Sequence, residues 1–142
     1  MKVKLRRLDD SYHFQAANES GNSISMDASP AIGGSGKGPR PMELLLMGMG
    51  GCTGIDVVSM LKKQRQELQD FDMEIEATRA DKPPRVFTNI HIRYLLTGDL
   101  DPEKVRRAIE LSKEKYCSAS IMLGKTATIT YSYVVNGKEY EG

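Results

Sequence analysis

A chain of 142 residues, 39% of them apolar, is long enough to form one domain with a core of its own. Its 20 basic and 19 acidic residues leave a net charge of +1, so no basic excess is available to neutralise nucleic-acid phosphates or an acidic membrane surface. Two cysteines, Cys52 and Cys117, and two scattered histidines, His13 and His91, lack the spacing of a metal site, and nothing calls for a bound cofactor.

Residues 2–8 alternate and are expected to form a strand, followed by a turn at Asp9-Asp10-Ser11 and further strands at 12–17 and 23–27. Ala28 to Arg40 is rich in Gly and Pro, and the expectation there is a flexible connector or subunit arm. Its Gly33-Gly34-Ser35-Gly36-Lys37-Gly38 run falls short of a phosphate loop. Lys37 is followed by Gly38 and Pro39, not by a Ser or Thr that opens a helix.

Pro41 suits the first position of a helix, and Glu43 then lies in a first turn that favours negative charge. The helix is expected to reach about Gln66. Leu44, Leu45, Met47, Ile55, Val57, Val58 and Leu61 surround it, which predicts burial on every side. Gly48, Gly50, Gly51 and Gly54 each cost up to ~1 kcal/mol against Ala, so another backbone is expected to pack close. The same stretch, Met42 to Met60, carries Glu43 and Asp56 and reads as a core helix, not a membrane span. No apolar segment follows the basic start Met1–Arg7, so the expected compartment is the cytoplasm.

Strands are expected at 71–79 and 86–97, with a turn at Asp81-Lys82-Pro83-Pro84 between them. Asp101 and Pro102 supply the cap and first position of a second long helix, expected to run to about Tyr116. Ser118–Leu123 can add a short helical segment. A β-branched and aromatic strand follows at 126–135, then an Asn136-Gly137 turn, and 138–142 is a closing strand or a tail. The order βββ-α-ββ-α-β is α+β, in a single domain spanning 1–142.

The two cysteines differ in setting. Cys52 lies about three turns into the first helix, where helix geometry alone favours a small core residue. Nothing cationic is near it in sequence, and Asp56 one turn on would raise a thiol pKa. The flanking glycines leave room for a substrate or another backbone. Cys117 ends one helix and precedes the Ser118–Leu123 segment, a cap position where N–H groups favour a thiolate, with Lys113 and Lys115 close in sequence. In a reducing cytosol such a pair is more often catalytic, redox-active or metal-binding than a structural staple.

The combination Pro41-Met42-Glu43-Leu44-Leu45, then Gly50-Gly51-Cys52, then Tyr116-Cys117-Ser118-Ala119-Ser120 resembles the OsmC/Ohr family of osmotically inducible and organic hydroperoxide resistance proteins, and within it the YhfA-like branch. The resemblance covers nearly the whole chain. It implies an intertwined homodimer with two central buried helices and active sites at the subunit interface. It also implies reduction of organic hydroperoxides, with Cys52 as the peroxidatic cysteine and Cys117 as the resolving one. A dithiol such as lipoamide or a thioredoxin-like protein would restore both thiols. Family members place a Glu directly after the helix-opening Pro, paired with an activating Arg. Here that position is Met42 and the carboxylate stands at Glu43. Arg6, Arg7 and Arg40 are the candidate guanidinia. Nine residues separate Glu43 from Cys52, which sets them on opposite faces of an ideal helix at ~100° per residue. A competing reading is a non-catalytic ligand-binding or redox-sensing protein in which the Glu–Arg pair is lost.

Overall fold

The three N-terminal alternating segments pair as an antiparallel meander. Strands β1 (Val3–Arg7), β2 (Phe14–Asn18) and β3 (Ser23–Met26) lie in that order, with Leu5 opposite Ala16 and Phe14 opposite Met26. The computed structural model describes residues 1–142 and divides into two units, Met1–Met47 and Gly48–Gly142.

In the first unit the Gly/Pro-rich stretch is not the loose arm expected from its composition. Asp27 is the single buried residue among the first 47. Its Oδ1 accepts the N–H of Ala28 at 2.8 Å, and its Oδ2 accepts those of Ser35 at 3.2 Å and Lys37 at 3.1 Å. The Asp27 N–H donates to the Pro39 carbonyl at 3.1 Å. A short 3₁₀ turn, Pro30–Ile32, closes on Gly33 at φ 105°, a conformation that favours glycine. Burial by itself would raise the Asp27 pKa, but the three N–H groups hold it below its ordinary value. Backbone donors of the kind a phosphate loop offers are committed here to a carboxylate of the same chain.

Helix α1 (Pro41–Lys63) stops three residues short of the expected end. Arg65 takes up φ 56° and the Gln66 N–H donates to the Leu61 carbonyl at 2.9 Å, a closing turn that usually carries glycine. By length and composition alone α1 would pass for a membrane span. One face of it is packed instead, through Met49, Gly50, Thr53, Gly54, Val57 and Leu61.

Burial on every side, predicted from the sequence, does not occur within one chain. Leu45, Met47, Ile55 and Val58 remain 48%, 56%, 70% and 43% exposed. The glycines also differ from expectation. A Cβ on Gly50 would stand 2.9 Å from Ile75 Cδ1 and one on Gly54 2.9 Å from Met73 Cε, so these two admit side-chain tips and not another backbone. Gly48 and Gly51 face open space.

The second unit is built on a four-stranded sheet, β4 (Glu67–Arg79), β5 (Phe87–Asp99), β6 (Thr128–Val135) and β7 (Lys138–Glu141), in that order. β4 starts at Glu67, four residues before the sequence suggested, through an irregularity between Leu68 and Asp70. β5 and β6 are parallel, with Ile92 opposite Tyr131, and parallel neighbours need a crossover. Residues 100–127 supply it, as α2 (Pro102–Leu111), a wide turn at Ser112–Tyr116, and α3 (Ser118–Leu123). Asp101 caps α2 by accepting the Glu103 N–H at 2.9 Å. Asn136 at φ 51° and Gly137 at φ 84° form the two-residue turn that pairs β6 with β7, so the tail is a strand.

Candidate active site

Two features of the second unit bring the cysteine segments together. The first is the wide turn. The helix reaches Tyr116 as expected but widens after Leu111, and the Cys117 N–H donates to the Ser112 carbonyl at 2.7 Å across one extra residue. This widening ends the helix with Cys117 in extended conformation at φ −78°, ψ 99°, turned into the core at 0% exposure. The second is a buried line of hydroxyls between α1, β5 and α2. Ser112 Oγ–H donates to Asp56 Oδ2 at 2.9 Å, which occupies its one proton. Thr53 therefore donates to Ser112, and Tyr94 to Thr53, each at 2.8 Å. Thr53 is the residue after Cys52, and the Ser112 carbonyl holds the Cys117 N–H. The same line thus ties both cysteine segments to one point.

The Cys117 sulfur has a complete set of partners. Ser120 Oγ–H donates to it at 3.0 Å and the Ser120 N–H at 3.3 Å, so Cys117 is the cap of α3 as its position suggested. Its own S–H faces the Met49 carbonyl at 4.0 Å. The Cys52 thiol, half-buried, is near enough to Cys117 to act on its pKa, and both cysteines are free.

The cap does favour a thiolate as expected, but burial outweighs it. Burial pushes the Cys117 pKa up, the two Ser120 donors pull it down, and the neighbouring Cys52 adds to the rise. The two lysines close in sequence do not help. Lys113 lies over the Tyr131 ring and Lys115 over the Tyr116 ring. Burial likewise pushes Tyr94 up to about 12, against the Thr53 hydrogen bond.

Arg40 and Glu43 belong to the first unit. Glu43 Oε1 accepts the Arg40 N–H at 2.8 Å and Arg40 Nε at 3.2 Å, which holds the Glu43 carboxyl below its ordinary pKa. A carboxylate three residues into a helix reaching back to the cap N–H is half of a capping box. Arg7 Nε donates to the Ser11 carbonyl at 2.9 Å and Arg6 lies on exposed β1, so neither is committed to a carboxylate. His91 engages Thr130 at 2.8 Å and Ser132 at 3.1 Å through its two ring nitrogens, and no three His, Cys, Asp or Glu side chains are grouped to hold a metal ion.

The model of the family described as OsmC-like protein matches residues 34–132. The chain belongs to the OsmC-like family. Protein YhfA of Escherichia coli strain K12 is 46% identical over 124 residues, which is 86% of this chain and 89% of that protein. A hypothetical protein from Aquifex aeolicus VF5 has a crystal structure with TM-score 0.83 at 33% identity, over 97% of both chains. The organic hydroperoxide resistance protein OsmC from Legionella pneumophila has the same fold at 18% identity, with TM-score 0.72 over 94% of this chain and 96% of that one.

Sequence reasoning singled out both cysteines but passed over Ser120, Thr53 and Tyr94. A signal existed. Thr53 lies on the buried side of an apolar helix and Ser112 on the inner face of another, and a buried hydroxyl needs a partner.

Proposed function

We propose that this OsmC-like protein reduces organic hydroperoxides by a sulfenic acid–disulfide cycle on Cys52 and Cys117, as a homodimer. The observation that carries the reading is a half-buried thiol set beside a wholly buried one, from segments far apart in sequence. The Cys52 thiolate attacks the distal peroxide oxygen. An S–O bond forms, the O–O bond breaks, and the alcohol leaves with a proton. Cys117 then attacks the sulfenic sulfur. The S–S bond forms, the S–O bond breaks, and hydroxide takes up a proton to leave as water. A dithiol such as lipoamide, or a thioredoxin-like protein, returns both thiols. The name of the Legionella neighbour supports the substrate class.

Two surfaces support the dimer. The first unit buries no apolar side chain and leaves Val3, Leu5 and Ile24 63%, 54% and 52% exposed. Helix α1 leaves its Leu45, Met47, Ile55 and Val58 side open. A second copy of the chain is the occupant of both, in an intertwined pair. We read residues 1–142 as a single domain, since the family match at 34–132 crosses from one unit into the other. Free thiols in such a cycle suit the reducing cytoplasm.

The test is turnover of cumene hydroperoxide with a dithiol. Cys52→Ser should abolish it. Cys117→Ser should leave one stoichiometric oxidation and a sulfenic acid trapped by dimedone. A Cys52→Ser variant as active as the parent refutes the reading. Sedimentation should give a dimer at micromolar concentration, and a stable folded monomer would contradict it. A second reading, a redox sensor, is favoured by one observation, the engagement of Arg40–Glu43 as a helix cap. It predicts a single oxidation with no sustained turnover.

A further inference from the structure

The surroundings of the two sulfurs are unequal, and resting on the cycle just proposed, that inequality fixes which sulfur meets the reductant. Cys117 is 0% exposed, while Cys52 is only half-buried. A thiolate that opens a disulfide must reach one sulfur from behind and expel the other. Only Cys52 can be reached, so Cys117 is the sulfur expelled. A thiolate expelled into a buried site is costly unless donors meet it. The Met49 carbonyl, 4.0 Å away, offers only a lone pair. Ser120 offers two donors, its hydroxyl at 3.0 Å and its N–H at 3.3 Å, and at 3% exposure that hydroxyl has little water to turn to.

We propose that Ser120 is a catalytic residue of this protein, holding the Cys117 sulfur as the leaving thiolate while an external dithiol attacks the Cys52 sulfur. In the step, the reductant's thiolate forms a new S–S bond to Cys52 and the Cys52–Cys117 bond breaks. The reductant's sulfur is oxidised and Cys117 leaves reduced, carrying the electron pair. The reductant's second thiol then expels Cys52. In the oxidising direction the same two donors stabilise the Cys117 thiolate that attacks the sulfenic acid. The pull of Ser120 on the Cys117 pKa agrees with this role.

Diamide closes the disulfide without peroxide, and dithiothreitol then opens it. Ser120→Ala should slow that opening about tenfold, the loss of one hydrogen bond to a charged sulfur. Ser118→Ala, an exposed hydroxyl on the same turn, should match the parent. In a Cys52→Ser background, Ser120→Ala should move the thiolate absorbance titration of Cys117 to higher pH, which a purely packing role would not do. Unchanged rate and unchanged titration overturn the proposal. A third readout needs no variant at Ser120. Glutathione added to the diamide-treated parent should be captured on Cys52, and capture on Cys117 overturns the proposal. A parent that gives these results yet ignores hydroperoxides refutes the peroxide reading alone.

Discussion

The two units of the chain are held together by opposite means. In Gly48–Gly142 the interior is apolar. Val57, Leu61, Ile90, Ile92, Leu96, Val105 and Ile109 are almost wholly buried, and the hydroxyl line from Tyr94 to Asp56 is threaded among them. In Met1–Met47 the one buried residue is a carboxylate, and what surrounds it is backbone N–H. An apolar core fixes positions in every direction, so it can hold two sulfurs in register. A single carboxylate fixes the course of one loop and leaves the unit's apolar side chains unburied.

The largest expected effect lies in the hydroxyl line, because its protons run one way. Thr53→Val leaves the Tyr94 O–H buried with no acceptor and should cost roughly 2–3 kcal/mol in denaturant unfolding. Tyr94→Phe removes only the first donor and should cost about 1 kcal/mol. Equal costs would show that the line has no direction. In the first unit, Asp27→Ala removes the acceptor of three N–H groups. Hydrogen exchange at Ala28, Ser35 and Lys37 should then quicken roughly tenfold or more, with β5 and β6 still protected. Loss of protection in both units together would merge what the comparison separates.

The pH response should divide the units as well. Asp27 has a lowered pKa, so its contribution is complete above its ordinary value of 3.8 and is lost as pH falls through the depressed value. Cys117 and Tyr94 have raised pKa values. Their contributions are complete below the ordinary values of 9.0 and 10.0 and are lost as pH rises, for Tyr94 toward about 12. Amide exchange followed along a pH series should find the Asp27 loop loosening first in acid and the Cys117 segment loosening first in alkali. The reverse order would contradict the assignment. The smallest expected effect is at the α1 terminus, where Arg65 holds φ 56°. Arg65→Gly should stabilise by about 0.5–1 kcal/mol, read as a raised midpoint in denaturant.

The element order was legible because alternation and helix caps are local signals. Asp101-Pro102 opened a helix and Asn136-Gly137 turned a hairpin, each for reasons contained in two residues. Three things were not local. The wide turn at Ser112–Tyr116 reads as ordinary helix, since its residues have no spacing of their own and the widening serves Cys117. The Asp27 loop reads as flexible because its order comes from a carboxylate up to ten residues away from the amides it binds. The open side of α1 reads as buried because a sequence reports that a face is apolar, not whether its own chain covers it. Of the site, the two sulfurs were legible from their flanking residues. Ser120 was not, since a serine two residues past a helix start has many ordinary uses.

One measurement bears most directly on the central claim, that Cys52 and Cys117 form a working redox pair. The reduced parent is mixed with one equivalent of cumene hydroperoxide, the remaining thiols are alkylated, and the digest is mapped by mass spectrometry. The account predicts a peptide cross-linked between Cys52 and Cys117 within single chains, with the peroxide consumed in equal amount. Peroxide left unreacted, with both cysteines fully alkylated, would contradict it.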